Sequence, residues 1–513
     1  MSRQILLCGI LCSAAAWGQQ TADTLFRAGQ AAMVRGDRAE AAQQFERALG
    51  LYAQMESQAK EQHHALPAIT LQRYAFALAT VGRTEEATKE MKAASTEEPK
   101  NATLHDSLGS LYAQQQQWPR AEAEFAAASH LMPMSAEMHL HLGLAMQAQS
   151  NPGALKEIER AAKLDPSNEA IALQYGLALA AAGDDTRAIE VLQRLLVRHP
   201  ANLNAMYVLA LALQRSDRVP EAVTLFEKVL KAQPNNADAM TNLGMALTQE
   251  RRAKDAVPVL QKAVSLAPQS VTAIEDLAAA YVQLNQFEDA VAQLQQALGL
   301  APDMPQVHYD LGLAYKMQDD AAHAIPELER AAALDPKAPE APLALGMLYM
   351  QNGRYEDAAR ELEVSLALRS DNGDAWATLG SVYNKLERLP DAEAALHKAI
   401  QQLPEQPDPH LTLAAVYVKE HKSADAVAER KQAAELMRTN MNRQRAEVAT
   451  HSGESLLKSG DAAGAMVQFQ DALSFDADYR EAHEGLAKVY EAQGRGADAA
   501  AERAKAKVAE SKP

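Results

Sequence analysis

The sequence predicts an all-α fold, a right-handed superhelical solenoid of about 14 helix-turn-helix repeats, on the strength of three periodic columns of residues. A small residue recurs at Gly109, Gly143, Gly176, Ala210, Gly244, Ala278, Gly312, Gly346, Gly380 and Ala414, stepping by 34 residues except for a single step of 33. An alanine keeps the same step at Ala121, Ala154, Ala188, Ala222, Ala256, Ala290, Ala324, Ala358, Ala392 and Ala426. A proline ends each unit at Pro99, Pro133, Pro166, Pro200, Pro234, Pro268, Pro302, Pro336 and Pro404, with Ser370 breaking the row. Columns that coincide over ten units make one elongated array rather than several globular domains.

Each column has a physical reading. Within the unit 373–404, Trp376, Leu379, Gly380 and Tyr383 share one face of a first helix, and Ala392, Leu396 and Ala399 share one face of a second, which Pro404 stops. Glycine inside a helix costs about 1 kcal/mol relative to alanine, so glycine in seven of ten units predicts a close approach of the second helix, matched by its small alanines. The short step belongs to Asn151-Pro152-Gly153, where the turn loses a residue. Pro119, Pro220 and Pro390 sit in the first turn of second helices, where a missing N–H costs little, while Pro258 and Pro326 lie deeper and predict a slight tilt.

The ends carry degenerate copies. Two outer units lie near 22–52 and 68–101, ten more run from 102 to 435, and a final pair with a capping tail occupies 449–513. The residues inserted near 53–66 either lengthen a helix or form a loop; 436–448, which has no Gly or Pro, is an extended helix or linker. At the N-terminus, Arg3 precedes an apolar run, and Ala16-Trp17-Gly18 has the small residues a signal peptidase requires, so residues 1–18 read as a secretory signal. Both cysteines, Cys8 and Cys12, lie within it, leaving a cysteine-free chain suited to export into a bacterial periplasm or beyond.

The pattern W-x2-L-G-x2-Y, followed by Ala, a large apolar residue and Pro, resembles the tetratricopeptide repeat. The resemblance implies a non-catalytic protein-interaction scaffold whose first helices line a concave groove. The positions three before and one after the small residue usually face that groove: Leu140 and Leu144, Leu173 and Leu177, Tyr207 and Leu211, Thr241 and Met245, Tyr309 and Leu313, Leu343 and Met347. These side chains either meet a ligand or pack on the next repeat. Their chemistry suits apolar or amphipathic peptide segments. No unit carries the Lys and Asn pair that clamps a peptide carboxylate, and the Asn row of glycosyltransferase-associated arrays survives only as Asn242, beside Asp276 and Asp310.

Other functions find little support. A formal charge of −17 argues against nucleic acid and anionic membrane surfaces. There is no H-E-x-x-H, phosphate-binding glycine loop, C-x-x-C or G-x-S-x-G, and no cofactor or metal site is expected. Ser455-Leu456-Leu457-Lys458, Lys458-Ser459-Gly460 and Ser370-Asp371-Asn372 imitate signatures of penicillin-binding enzymes, but the first two overlap on Lys458 and all three occupy ordinary repeat positions. The 14 histidines, including His139 and His141, are expected at exposed or edge positions. An accessory subunit of an envelope enzyme or polysaccharide-export machine, and a chaperone or assembly factor for envelope proteins, are the alternative roles.

Overall fold

The computed structural model describes residues 19–510, all helix and turn, with no strand among them. The secretory-signal segment lies outside the described residues. Two units divide the chain, one ending at Pro268 and the other beginning at Gln269.

In the first unit a helix at 19–34 pairs with Arg38–Glu61, and six further pairs follow, ending with Ala237–Gln249 and Ala253–Leu266. The second unit also holds seven pairs, from Val271–Gln283 and Phe287–Leu300 to Arg480–Ala492 and Gly496–Glu510. Within each unit first helices touch one another, as Glu169–Ala181 does Leu203–Arg215 and Gly373–Lys385 does Asp408–Lys419, so they form the inner layer of each stack.

Asn or Ser side chains start most first helices. Asn101, Ser135, Asn168, Asn202, Asn236, Ser270 and Asn372 each accept a backbone N–H that the first turn leaves unpaired. Each pair then turns through a residue in the left-handed region, seven positions after the small-residue column. Six are glycines, such as Gly183 and Gly353; the others include Gln116, Asp217, Arg251, Asn285 and Glu387. The next N–H reaches back to a carbonyl five residues earlier, as Arg252 does to Leu247 at 2.8 Å and Arg388 to Tyr383 at 3.0 Å. This closes the first helix without requiring glycine.

The small-residue column lies under large side chains. A Cβ on Gly109 would meet Phe125 at 2.8 Å, on Gly312 Leu328 at 2.6 Å, and on Gly380 Leu396 at 2.5 Å. The knob is therefore the large residue four positions after the alanine column, not the alanine. The alanine contributes its backbone: the same Cβ would lie 3.2 Å from the Ala324 carbonyl at Gly312 and 3.3 Å from that of Ala358 at Gly346. Tyrosines tie successive pairs of the second unit. The Tyr349 hydroxyl donates to Glu329 at 2.6 Å and that of Tyr383 to Glu363 at 2.5 Å, both on the preceding second helix.

Several local features refine the sequence reading. Ser370 breaks the proline row, yet Tyr355–Leu368 stops in register because the next helix is capped by Asn372. Helices Ala253–Leu266 and Ala321–Leu334 run through Pro258 and Pro326. The first insertion lengthens a helix, which extends over 24 residues to Glu61 before His63 turns the chain in the left-handed region. Ser423–Lys458 is one helix of 36 residues, fusing the second helix of one repeat with the first of the next, so no break falls at 436 or 448.

The histidines correct the expectation of exposed or edge positions. His139, His308, His410 and His483 are buried, four residues before the small-residue column, at the position Trp376 occupies in its own repeat. The Nδ1 of His308 meets Glu327 at 2.6 Å and its Nε2 meets the Pro302 carbonyl at 3.0 Å; His139 repeats this with Glu157 at 2.7 Å and Pro133 at 3.1 Å. The Trp376 indole N–H donates to the Ser370 carbonyl at 2.9 Å in the same way. His139, His308 and His483 thus each join the second helix of their own repeat to the end of the preceding one.

Candidate functional site

The inner layer is the candidate site, and each unit presents its own stretch of it. In the first unit, Leu140 and Leu144 lie on Ala136–Gln147, Leu173 and Leu177 on Glu169–Ala181, Tyr207 and Leu211 on Leu203–Arg215, and Met245 on Ala237–Gln249. All seven are half-buried. Tyr207 is the most constrained: its ring meets Phe226 edge-on at 5.9 Å, and its hydroxyl accepts a hydrogen bond from the Asn242 Nδ2 at 2.9 Å. On Ala136–Gln147, beside Leu140, His141 Nδ1 meets Asp106 at 2.7 Å, and that hydrogen bond raises the histidine's pKa.

In the second unit, Tyr309 and Leu313 lie on Pro305–Met317, and Leu343 and Met347 on Glu340–Gln351. Tyr309, Leu313 and Leu343 are half-buried and rest on the unit's core, whereas Met347 is 37% exposed. Each of the three therefore packs against the repeat while leaving part of its surface accessible.

Beside Leu313 the inner face deepens into a cavity of about 340 Å³ walled by Ala278, Ala279, Val282, Leu294 and Ala314, with Glu275 and Asp310 also lining it. Burial raises the pKa of both carboxyls, Asp310 even though Gln306 donates to it at 2.9 Å. Asp276, next to Glu275, is pushed up to about 7 by burial and then by the Glu275 charge. Sequence reasoning noticed Asp276 and Asp310 only as remnants of an Asn row. The missed signal was two acids in one column of adjacent first helices, with Glu275 alongside. Among the described residues no group of His, Cys, Asp and Glu is arranged to hold a metal ion.

A cytochrome c-type biogenesis protein H TPR domain family model matches residues 140–240, and one for anaphase-promoting complex, cyclosome, subunit 3 matches 215–297. Two tetratricopeptide repeat models match 278–319 and 315–382. No curated protein matches the sequence. Among solved structures, MamA from Desulfovibrio magneticus RS-1 is 26% identical over 33% of this chain and 95% of its own, with a TM-score of 0.32. YrrB, described as a TPR protein with an unusual peptide-binding site, is 22% identical over 38% and 97%, with a TM-score of 0.32. A tetratricopeptide repeat protein from Parabacteroides merdae is 14% identical over 48% and 97%, with a TM-score of 0.41. With helix pairs built on one repeated plan and family matches running through residues 140–382, the chain belongs to the tetratricopeptide repeat proteins.

Proposed function

We propose that this protein is a non-catalytic scaffold that binds apolar or amphipathic peptide segments along the inner faces of its units. The observation that carries the reading is the half-buried row of Leu, Tyr and Met side chains on successive first helices. Such side chains are held in place by the core yet keep apolar surface to offer, which suits a helix or extended segment laid across them. Tetratricopeptide repeat proteins bind proteins or peptides, and no catalytic motif competes with that role here.

Export to a bacterial envelope is part of the proposal, supported by the signal-like residues 1–18 and by the match to a cytochrome c-type biogenesis domain. No described helix is long and apolar enough to cross a membrane. The same match favours an assembly factor for envelope proteins as the second reading. A scaffold retains one stoichiometric partner in envelope extract, whereas an assembly factor retains many unfolded clients.

The direct test uses a peptide selected from a random display library on the full chain. Changing Tyr309→Ser together with Leu313→Asp should abolish binding while helicity by circular dichroism is retained. Lost helicity would assign these side chains to packing alone, and unchanged binding would refute the site.

A further inference from the structure

The second unit's cavity combines an apolar wall with carboxylates that the fold does not neutralise. Glu275 and Asp310 come from neighbouring first helices, Val271–Gln283 and Pro305–Met317, and both line the space beside Val282, Leu294 and Leu313. Among the described residues, neither they nor Asp276 makes an ion pair, and the Glu275 Oε1 is buried without a hydrogen-bond partner. Lys316 also lines the cavity, but it forms no ion pair with any of the three. Gln306 is the only side-chain donor to the cluster among the described residues, reaching Asp310.

Such an arrangement is costly without a partner, because half-buried like charges repel and lose part of their hydration. Burial holds all three carboxyls above their ordinary range, and for Glu275 and Asp276 a neighbouring acid adds to it, as expected of charges without counterions. A partner group that brings positive charge into the space removes both penalties. The geometry does not favour a bare ion, since no described group of acidic side chains is arranged to ligate a metal. The apolar wall instead matches a charge carried on an aliphatic stem.

We propose that this cavity seats a lysine or arginine side chain of a bound peptide segment, its stem against Val282, Leu294 and Leu313 and its cationic head at Glu275 and Asp310. This rests on the peptide-binding reading and adds to it a chemical specificity: the segment docked on the second unit is basic as well as apolar. Charge complementarity sets the occupant, and Tyr309 and Leu343 on the adjoining face receive the apolar residues beside it.

The test selects a random-peptide display library on the full wild-type chain and on a Glu275→Gln/Asp310→Asn variant. The wild type should enrich peptides with Lys or Arg at one position flanked by apolar residues; the variant should keep the apolar preference and lose the basic one. For a selected peptide measured by fluorescence polarisation, replacing its basic residue with norleucine should weaken binding to the wild type roughly tenfold and leave binding to the variant unchanged. Enrichment of apolar peptides without a basic position would overturn this inference while leaving the groove standing; recovery of no binding peptide would overturn both. Displacement of the peptide by calcium chloride or spermidine alone would assign the cavity to a free cation and refute the proposal. The variant should melt at or above the wild-type temperature, since it loses two half-buried acids, and a lower melt would show that the fold already uses them.

Discussion

Gly244 illustrates how a single atom decides the packing at the residue scale. A Cβ there would collide with Leu260, whereas one on Gly50, also inside a helix, would meet nothing within 4 Å. Gly50→Ala should therefore stabilise by up to about 1 kcal/mol through helix propensity. Gly244→Ala should instead destabilise by about 1–3 kcal/mol, because the large knob has nowhere to go. Denaturant melts of the two variants check this, and a stabilising Gly244→Ala would remove the packing explanation. Asp276 makes a second test at this scale. Its carboxyl, raised from 3.8 to about 7, holds its proton longer in the folded state, so its contribution favours folding at low pH and is lost as pH rises through that window. Asp276→Asn should consequently melt above the wild type at about pH 8, with the gap narrowing as pH falls and closing below about pH 4. His141, whose folded value is also raised, shifts stability in the same direction as its pairing with Asp106 is lost at higher pH. The small-residue column was legible because its period is rigid. The acid cluster was not, because burial depends on which faces two separate helices turn toward each other.

At the scale of the element, the recurring turn shows what periodicity alone conceals. Glycine fills the left-handed position in some repeats, but Arg251 and Glu387 adopt it too, so no single residue type marks the column. Replacing Arg251 by Gly should stabilise by about 0.5–1 kcal/mol, since a side chain in that region is strained and only part of the gain is offset by unfolded-chain entropy. Thermal unfolding measures the difference. The histidine position was misread for a related reason: a ring that accepts Trp376 in one repeat and His308 in another has no common chemistry in the sequence, only a common place. What the two share is a ring N–H aimed at the carbonyl six residues earlier. His308→Trp should therefore fold with near-normal stability, while His308→Ala should lose about 1–3 kcal/mol by leaving Glu327 and the Pro302 carbonyl without their partner. The long helix Ser423–Lys458 was more legible, since nothing between 436 and 448 could stop it.

For the whole molecule, contacts between neighbouring pairs make stability local and additive. Removing residues 462–513 should leave the remaining chain with its helicity per residue unchanged, and loss of helicity upstream would contradict nearest-neighbour stacking. The repeat architecture was readable from the sequence because small, apolar and terminating residues recur together; the functional face was readable only as a set of positions, since half-burial is compatible with both packing and binding. Amide hydrogen exchange of the full chain, with and without a peptide selected on it, separates the two most directly. Binding on the inner face should slow exchange in first helices such as Pro305–Met317 and Glu340–Gln351, ahead of any change in their second helices. Protection confined to second helices such as Ala321–Leu334 and Tyr355–Leu368 would place the partner on the other side of the array and contradict the account.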